Sequence, residues 1–138
     1  MTLNRGNLGF TQQIGAGTTA TVYTVGSAQT AYIKSILIAN LDTTNTQRTE
    51  IHVVENTGGS AGTASSSTRI AKIGVGTDDT FFFEAAYPIT LENNGDTIQV
   101  YNEGTVDNSI NVLVLGDKEV WYMPSKNIQF NQRDSLTD

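Results

Sequence analysis

The chain has 138 residues, 38% of them hydrophobic and 16% charged, with no Cys, one His and a formal net charge of −6. That length fits one domain with its own core. The acidic balance excludes a binder that displaces counterions from nucleic acid, and an anionic membrane surface as partner. The missing Cys excludes disulfides, thiol nucleophiles and Cys-ligated zinc, and a lone His excludes a three-His metal site within one chain.

Thr, Gly, Asn and Ser make up 54 of the 138 residues, and Thr, Val and Ile together make 41. β-branched side chains fit a pleated, half-buried surface, while Gly, Asn and Asp supply the special dihedrals of turns. Residues 1–18 carry Leu3, Leu8, Phe10 and Ile14 among four glycines and are expected to form an extended arm. Residues 1–10 are polar, without the apolar stretch of a signal peptide. Residues 19–25 read as the first strand and 26–29 as a turn. Residues 30–40 form the strongest strand, with Tyr32, Ile36 and Ile38 on one face, Ile33, Leu37 and Ala39 on the other, and Lys34-Ser35 as the interruption. A strand apolar on both faces is central in a layered structure or covered by another chain. Residues 47–54 are expected to pair with it as a hairpin through the 41–45 turn. Residues 56–67 read as a long Gly/Ser/Thr loop. Strands follow at 68–75 and 80–84, and again at 87–91 after a break at Ala85-Ala86. Asn93-Asn94-Gly95-Asp96 is a turn; strands 97–101 and 109–115 close the set. About eight short strands at this spacing predict an all-β fold, an antiparallel β-sandwich or jelly roll over residues 19–116. Residues 117–138 depart from the pattern as an aromatic segment and tail.

Catalytic signatures are sparse. His52 alternates with Ile51 and Val53 and reads as a surface or interface histidine. Gly-x-Ser-x-Gly does not occur. The Asp residues fall singly in turns, where they satisfy nearby N–H groups. Asp78-Asp79 lacks the spaced oxygen ligands of a calcium loop. Gly15-Ala16-Gly17 and Gly74-Val75-Gly76 lead to no phosphate-loop Lys. No enzyme, cofactor or metal is expected. The aromatics say more. Phe81 and Phe83 share one face of their strand and Phe82 takes the other, so a two-layer sandwich leaves one side for the surface or a partner. Trp121, Tyr122 and Met123 pose the same question beyond the last strand. Aromatic anchors are enriched at interfaces, and the candidate contact residues are Leu3, Leu8, Phe10, Phe82, Trp121, Tyr122 and Met123.

The blocks Thr21-Val22-Tyr23-Thr24-Val25, Thr30-Ala31-Tyr32-Ile33-Lys34-Ser35-Ile36-Leu37-Ile38-Ala39-Asn40, Ile51-His52-Val53-Val54, Gly59-Ser60-Ala61-Gly62-Thr63-Ala64, Gly95-Asp96-Thr97-Ile98-Gln99-Val100-Tyr101 and Asn111-Val112-Leu113-Val114 resemble a recurrent small β-sandwich of tailed-bacteriophage virion proteins. The resemblance spans residues 20–116. It departs from that family at the Gly26-Ser27-Ala28-Gln29 turn and at Phe81-Phe82-Phe83. It implies a virion component without fixing which one; the single small module without catalytic residues, the apolar-studded arms at both ends and the net negative charge favour a capsid decoration (cement) protein. Such a protein would be a homo-oligomer, a trimer for preference, bound to the major capsid protein, with no nucleic acid or membrane as partner. A neck or tail component, as a ring or fibre base, is the alternative on the same resemblance. A host-receptor or carbohydrate-binding module is a third reading, resting on the polar 56–67 loop.

Overall fold

A computed structural model of the chain describes residues 2–56, 62–105 and 109–121. Among these are nine strands and no helix: β1 (Thr2–Asn7), β2 (Gln12–Ile14), β3 (Thr19–Thr24), β4 (Gln29–Asn40), β5 (Gln47–Val54), β6 (Arg69–Val75), β7 (Thr80–Leu91), β8 (Thr97–Asn102) and β9 (Ile110–Val120). They form two antiparallel sheets. The five-stranded sheet runs β1-β9-β4-β7 with β2 also on β9, and the four-stranded sheet runs β3-β8-β5-β6. From β2 to β9 the pairs nest, β2 with β9, β3 with β8, β4 with β7 and β5 with β6, and successive pairs alternate between the sheets. This is a jelly roll, a long antiparallel ribbon rolled up on itself.

The core lies between the sheets. Ile33, Ile36 and Ile38 of β4, Val112 and Val114 of β9, Ile51 of β5, and Ile98 and Val100 of β8 meet there almost free of solvent. Burying each Ile or Val side chain contributes about 1.5–3 kcal/mol before chain entropy is counted. The inward set on β4 corrects the expected alternation. The register slips between Ile33 and Ser35 on both sides of the strand, so the phase changes at Lys34. Ile33 therefore joins Ile36 and Ile38 inside, while Tyr32 falls on the outer face with Leu37 and Ala39. A bulge has this effect because side chains alternate with a period of two.

Further expectations are corrected. Residues 30–40 and 47–54 do not form a hairpin: β4 pairs with β7 and β9, β5 with β6 and β8. The link between them crosses from one sheet to the other and is tied by Asn40. Its Nδ2 donates to the carbonyls of Asn45 (2.9 Å), Val75 (2.9 Å) and Gly76 (3.0 Å), and its Oδ1 accepts from the Asp42 N–H at 2.9 Å. Residues 80–84 and 87–91 belong to one strand, β7. The break expected at Ala85-Ala86 is an interruption of the ladder, where Ser35 faces Glu84 and Ile33 faces Ile89. Pro88 has no N–H to give to a ladder and fits there.

Residues 2–7 and 12–14 pair along β9, and Ile14 is 1% exposed within the core, so this segment is part of the sandwich where an arm was expected. β9 itself runs on to Val120, past the expected end at residue 115. Gly116 permits the β4–β9 contact: a Cβ there would lie 2.0 Å from the Tyr32 carbonyl oxygen. The expected turn at 93–96 is present, with Gly95 at φ 95°, a region that favours glycine.

Candidate functional site: the outer face of the five-stranded sheet

Antiparallel partners project to the same side, so the register lays out the outer face of this sheet row by row. At one end, Leu113 faces Leu37, which faces Phe82. Leu37 and Leu113 are half-buried and Phe82 is 58% exposed. The next row is Asn7, Leu115, Ser35 and Glu84. On the far side of the apolar row, Thr80, Ala39 and Asn111 align with Gln13. Leu37, Ala39, Thr80 and Leu113 line a shallow depression with Thr11.

The middle of the face is charged. Asp117 of β9 lies 2.7 Å from Lys34 Nζ and 4.0 Å from Arg5 Nε. One row on, the Tyr32 hydroxyl donates to Glu119 Oε1. That bond, with some burial, raises the Tyr32 pKa above its ordinary value. At the far end the Trp121 indole N–H donates to Thr30 Oγ1 at 3.2 Å, and the Trp121 backbone N–H donates to the Ala28 carbonyl at 2.8 Å. Leu3 lies across from Glu119 on β1, 45% exposed.

Leu3, Phe82 and Trp121 thus share one face, though not one cluster. From the Leu113 row to Trp121, one residue past β9, is eight residues, roughly 26 Å. Leu8 and Phe10 lie elsewhere. Leu8 packs on the core and, with Phe10, Gln12, Val22, Tyr23 and Gln29, lines a groove beside β3; Phe10 is 93% exposed. The Tyr23 hydroxyl is buried without a hydrogen-bond partner, and burial raises its pKa. Tyr122 and Met123 lie outside the described residues. Sequence reasoning passed over Leu37, Leu113 and Leu115 as contact residues. The signal available was the two-sided apolar character of residues 30–40, which the register now matches with that of β9.

His52 is not at the surface. It is 3% exposed, on the outer side of the four-stranded sheet, with Nδ1 2.9 Å from Thr68 Oγ1 and Nε2 3.0 Å from Glu50 Oε1. Alternation with Ile51 and Val53 puts it on this side of the strand. The cover comes from the 62–68 segment, which folds back over that side: Gln99, opposite His52 on β8, donates to the Gly62 carbonyl. Glu50 also meets Arg69 at 3.2 Å and Lys72 at 3.7 Å. Burial raises the Glu50 pKa, but the His52 hydrogen bond and the Arg69 charge outweigh it and leave the carboxyl below its ordinary value. Among the described residues, no group of three or more His, Asp or Glu is placed to hold a metal ion.

No protein-family model matches the chain, and no curated protein matches it.

Proposed function

We propose that the chain is a non-enzymatic virion structural protein of a tailed phage, an outer capsid decoration protein that stabilises the head by bridging capsid subunits. The observation that carries this reading is the outer face of the five-stranded sheet. It combines an apolar row (Phe82, Leu37, Leu113), a charged middle (Arg5, Lys34, Asp117) and an aromatic end (Trp121). Aromatic anchors and Arg are enriched at docking faces. Four strands about 4.8 Å apart along the 11 residues of β9 present roughly 700 Å², close to the ~800 Å² per partner of a standard interface. Bridging works by removing apolar surface from water at a subunit boundary, about 25 cal/mol per Å² before association costs. The net charge of −6 suits a surface turned away from packaged DNA, since like charges repel.

The deciding experiment is the copy number of this protein per purified particle, relative to the major capsid protein, by quantitative mass spectrometry. A ratio near one, or a simple fraction of one, supports decoration. A ratio of a few per cent moves the protein to the neck or tail. Absence from particles overturns the virion reading altogether.

A further inference from the structure

The sandwich has four strand edges, and one of them is unlike the rest. β1 carries Arg5, β6 carries Arg69 and Lys72, and β3 is a six-residue strand with a register slip of its own. Charges, short length and bulges are the usual means of blunting an edge. β7 is 12 residues long, and among the described residues it pairs only with β4. Its first five residues, Thr80-Phe81-Phe82-Phe83-Glu84, hold an unbroken register on β4 and contain neither Lys, Arg, Pro nor Gly. Aromatic and β-branched residues in a stretch whose one charge is the terminal Glu84 make a strong template for a further strand.

A second observation points the same way. The core is unfinished on this side. Phe81 and Phe83 point inward, yet both are only half-buried, as are Ala71 and Ile73 of the facing edge strand β6.

We infer that β7 pairs edge to edge with β7 of a second copy, antiparallel about a twofold axis that passes through Phe82. Charge disfavours the Glu84-centred register, and the alignment of the apolar rows selects Phe82. Centring on Phe82 sets Thr80 opposite Glu84 of the partner, Phe81 opposite Phe83, and Phe82 opposite itself. Centring on Glu84 would place two carboxylates face to face, which destabilises a cross-strand pair. The chosen register also joins the Leu113–Leu37–Phe82 row of one copy to the same row of the other, giving one apolar band across both sheets. Inside, the partner's aromatic strand continues the half-covered layer formed by Phe81 and Phe83. A twofold contact of this kind is isologous and closes at two copies. It stands independently of the virion reading, since it concerns the purified chain.

The test uses the full chain, whose lack of Cys gives a clean background for engineered thiols. Sedimentation velocity over a concentration series reads the mass, expected at two chains. Thr80→Cys and Glu84→Cys variants are prepared separately and then mixed under mild oxidation. Directly opposed residues bring Cα atoms to about 4.5–5.5 Å, within disulfide reach. Two copies of the same variant are offset by four residues, roughly 13 Å along the strand. The mixture is therefore expected to give the mixed Thr80→Cys/Glu84→Cys dimer, identified by mass, several-fold above the Thr80→Cys homodimer; Glu84→Cys alone is no control, because it removes the carboxylate that disfavours the Glu84-centred register. Phe82→Asp, at a side chain already 58% exposed, is expected to give a folded monomer. A monomer at about 100 µM, a trimer, or a mixed dimer no more abundant than the Thr80→Cys homodimer overturns the inference. The cross-linking result decides the matter even if Phe82→Asp fails to fold.

Discussion

Replacing Asn40 by Ala tests the corner that carries the chain from one sheet to the other. The side chain is 2% exposed and bonds through both its amide ends: two amide hydrogens shared among three carbonyls, and an oxygen taking the Asp42 N–H. Truncation takes a partner from all four groups, though the Gly76 carbonyl keeps the Asp79 N–H at 3.1 Å. The Val75 carbonyl is reached by a fully buried bond, and leaving it unpaired costs about 1–3 kcal/mol. The Asn45 carbonyl and the Asp42 N–H are part-buried and recover some hydration, so they add about 0.5 kcal/mol each. The expected total is about 3 kcal/mol, a large share of the 5–15 kcal/mol that holds a domain of this kind together. With a urea slope of roughly 1.5–2 kcal/mol/M, the midpoint falls by about 1.5–2 M and the slope is unchanged. Equilibrium urea denaturation followed by circular dichroism or Trp121 fluorescence reads both. Asn40→Asp is expected to be at least as damaging, because a carboxylate would face three carbonyl oxygens. A midpoint shift under about 0.5 M for Asn40→Ala would refute the claim that this side chain ties the crossing.

Two other outcomes follow from the same sandwich. Gly116→Ala drives a Cβ into the Tyr32 carbonyl and is expected to cost about 3 kcal/mol, read as a fall in Tm; a loss under about 1 kcal/mol would mean that β4 and β9 adjust freely at the bulge. The Asp42 carboxylate accepts from the Thr44 backbone N–H and from the Asn45 and Gln47 amides, and it is lowered from 3.8 to about 2, chiefly by the Thr44 bond. Its contribution is complete above the unfolded value and is lost as pH falls through the folded one, so Tm should drop between about pH 4 and pH 2. Asp42→Asn should flatten that limb only in part, because Glu50 is also lowered; identical Tm–pH curves for the two proteins would contradict this.

Strand positions were legible because each strand's own pattern carries them. β-branched residues, turn residues and alternation located β3 to β6 and β8 to within a residue or two. Sheet membership was not legible. A six-residue link serves a hairpin and a sheet crossing equally well, and what separates them is Asn40 reaching Val75 and Gly76, 35 and 36 residues away. β1 gives no apolar signal, since it faces the polar stretch of β9 and its pairing shows only in contacts such as Arg5 with Asp117. The same holds for the last turn of β9: Asp117, Lys118 and Glu119 look like the end of a strand until Lys34 and Tyr32 are set beside them. His52 was placed on the correct side of β5, but its cover arrives from Thr68, sixteen residues on. The aromatic contact candidates were half legible. Alternation put Phe82 outside, while its companions Leu37 and Leu113 required the β4–β9 register.

The nested pairing also bears on the order in which the chain assembles as it is made. β5 and β6 are close neighbours in the chain, whereas β1 and β2 wait for β9, whose register reaches from Thr2 to Val120. A ribosome therefore releases β4, apolar on both sides, long before β9 exists to lie beside it. Contacts of such sequence separation form slowly, and the half-made protein must stay soluble with its most hydrophobic strand open along one edge. Expression yield should accordingly depend on how fast the last fifth of the chain is translated, a sensitivity that the finished sandwich, once β9 has closed it, no longer displays.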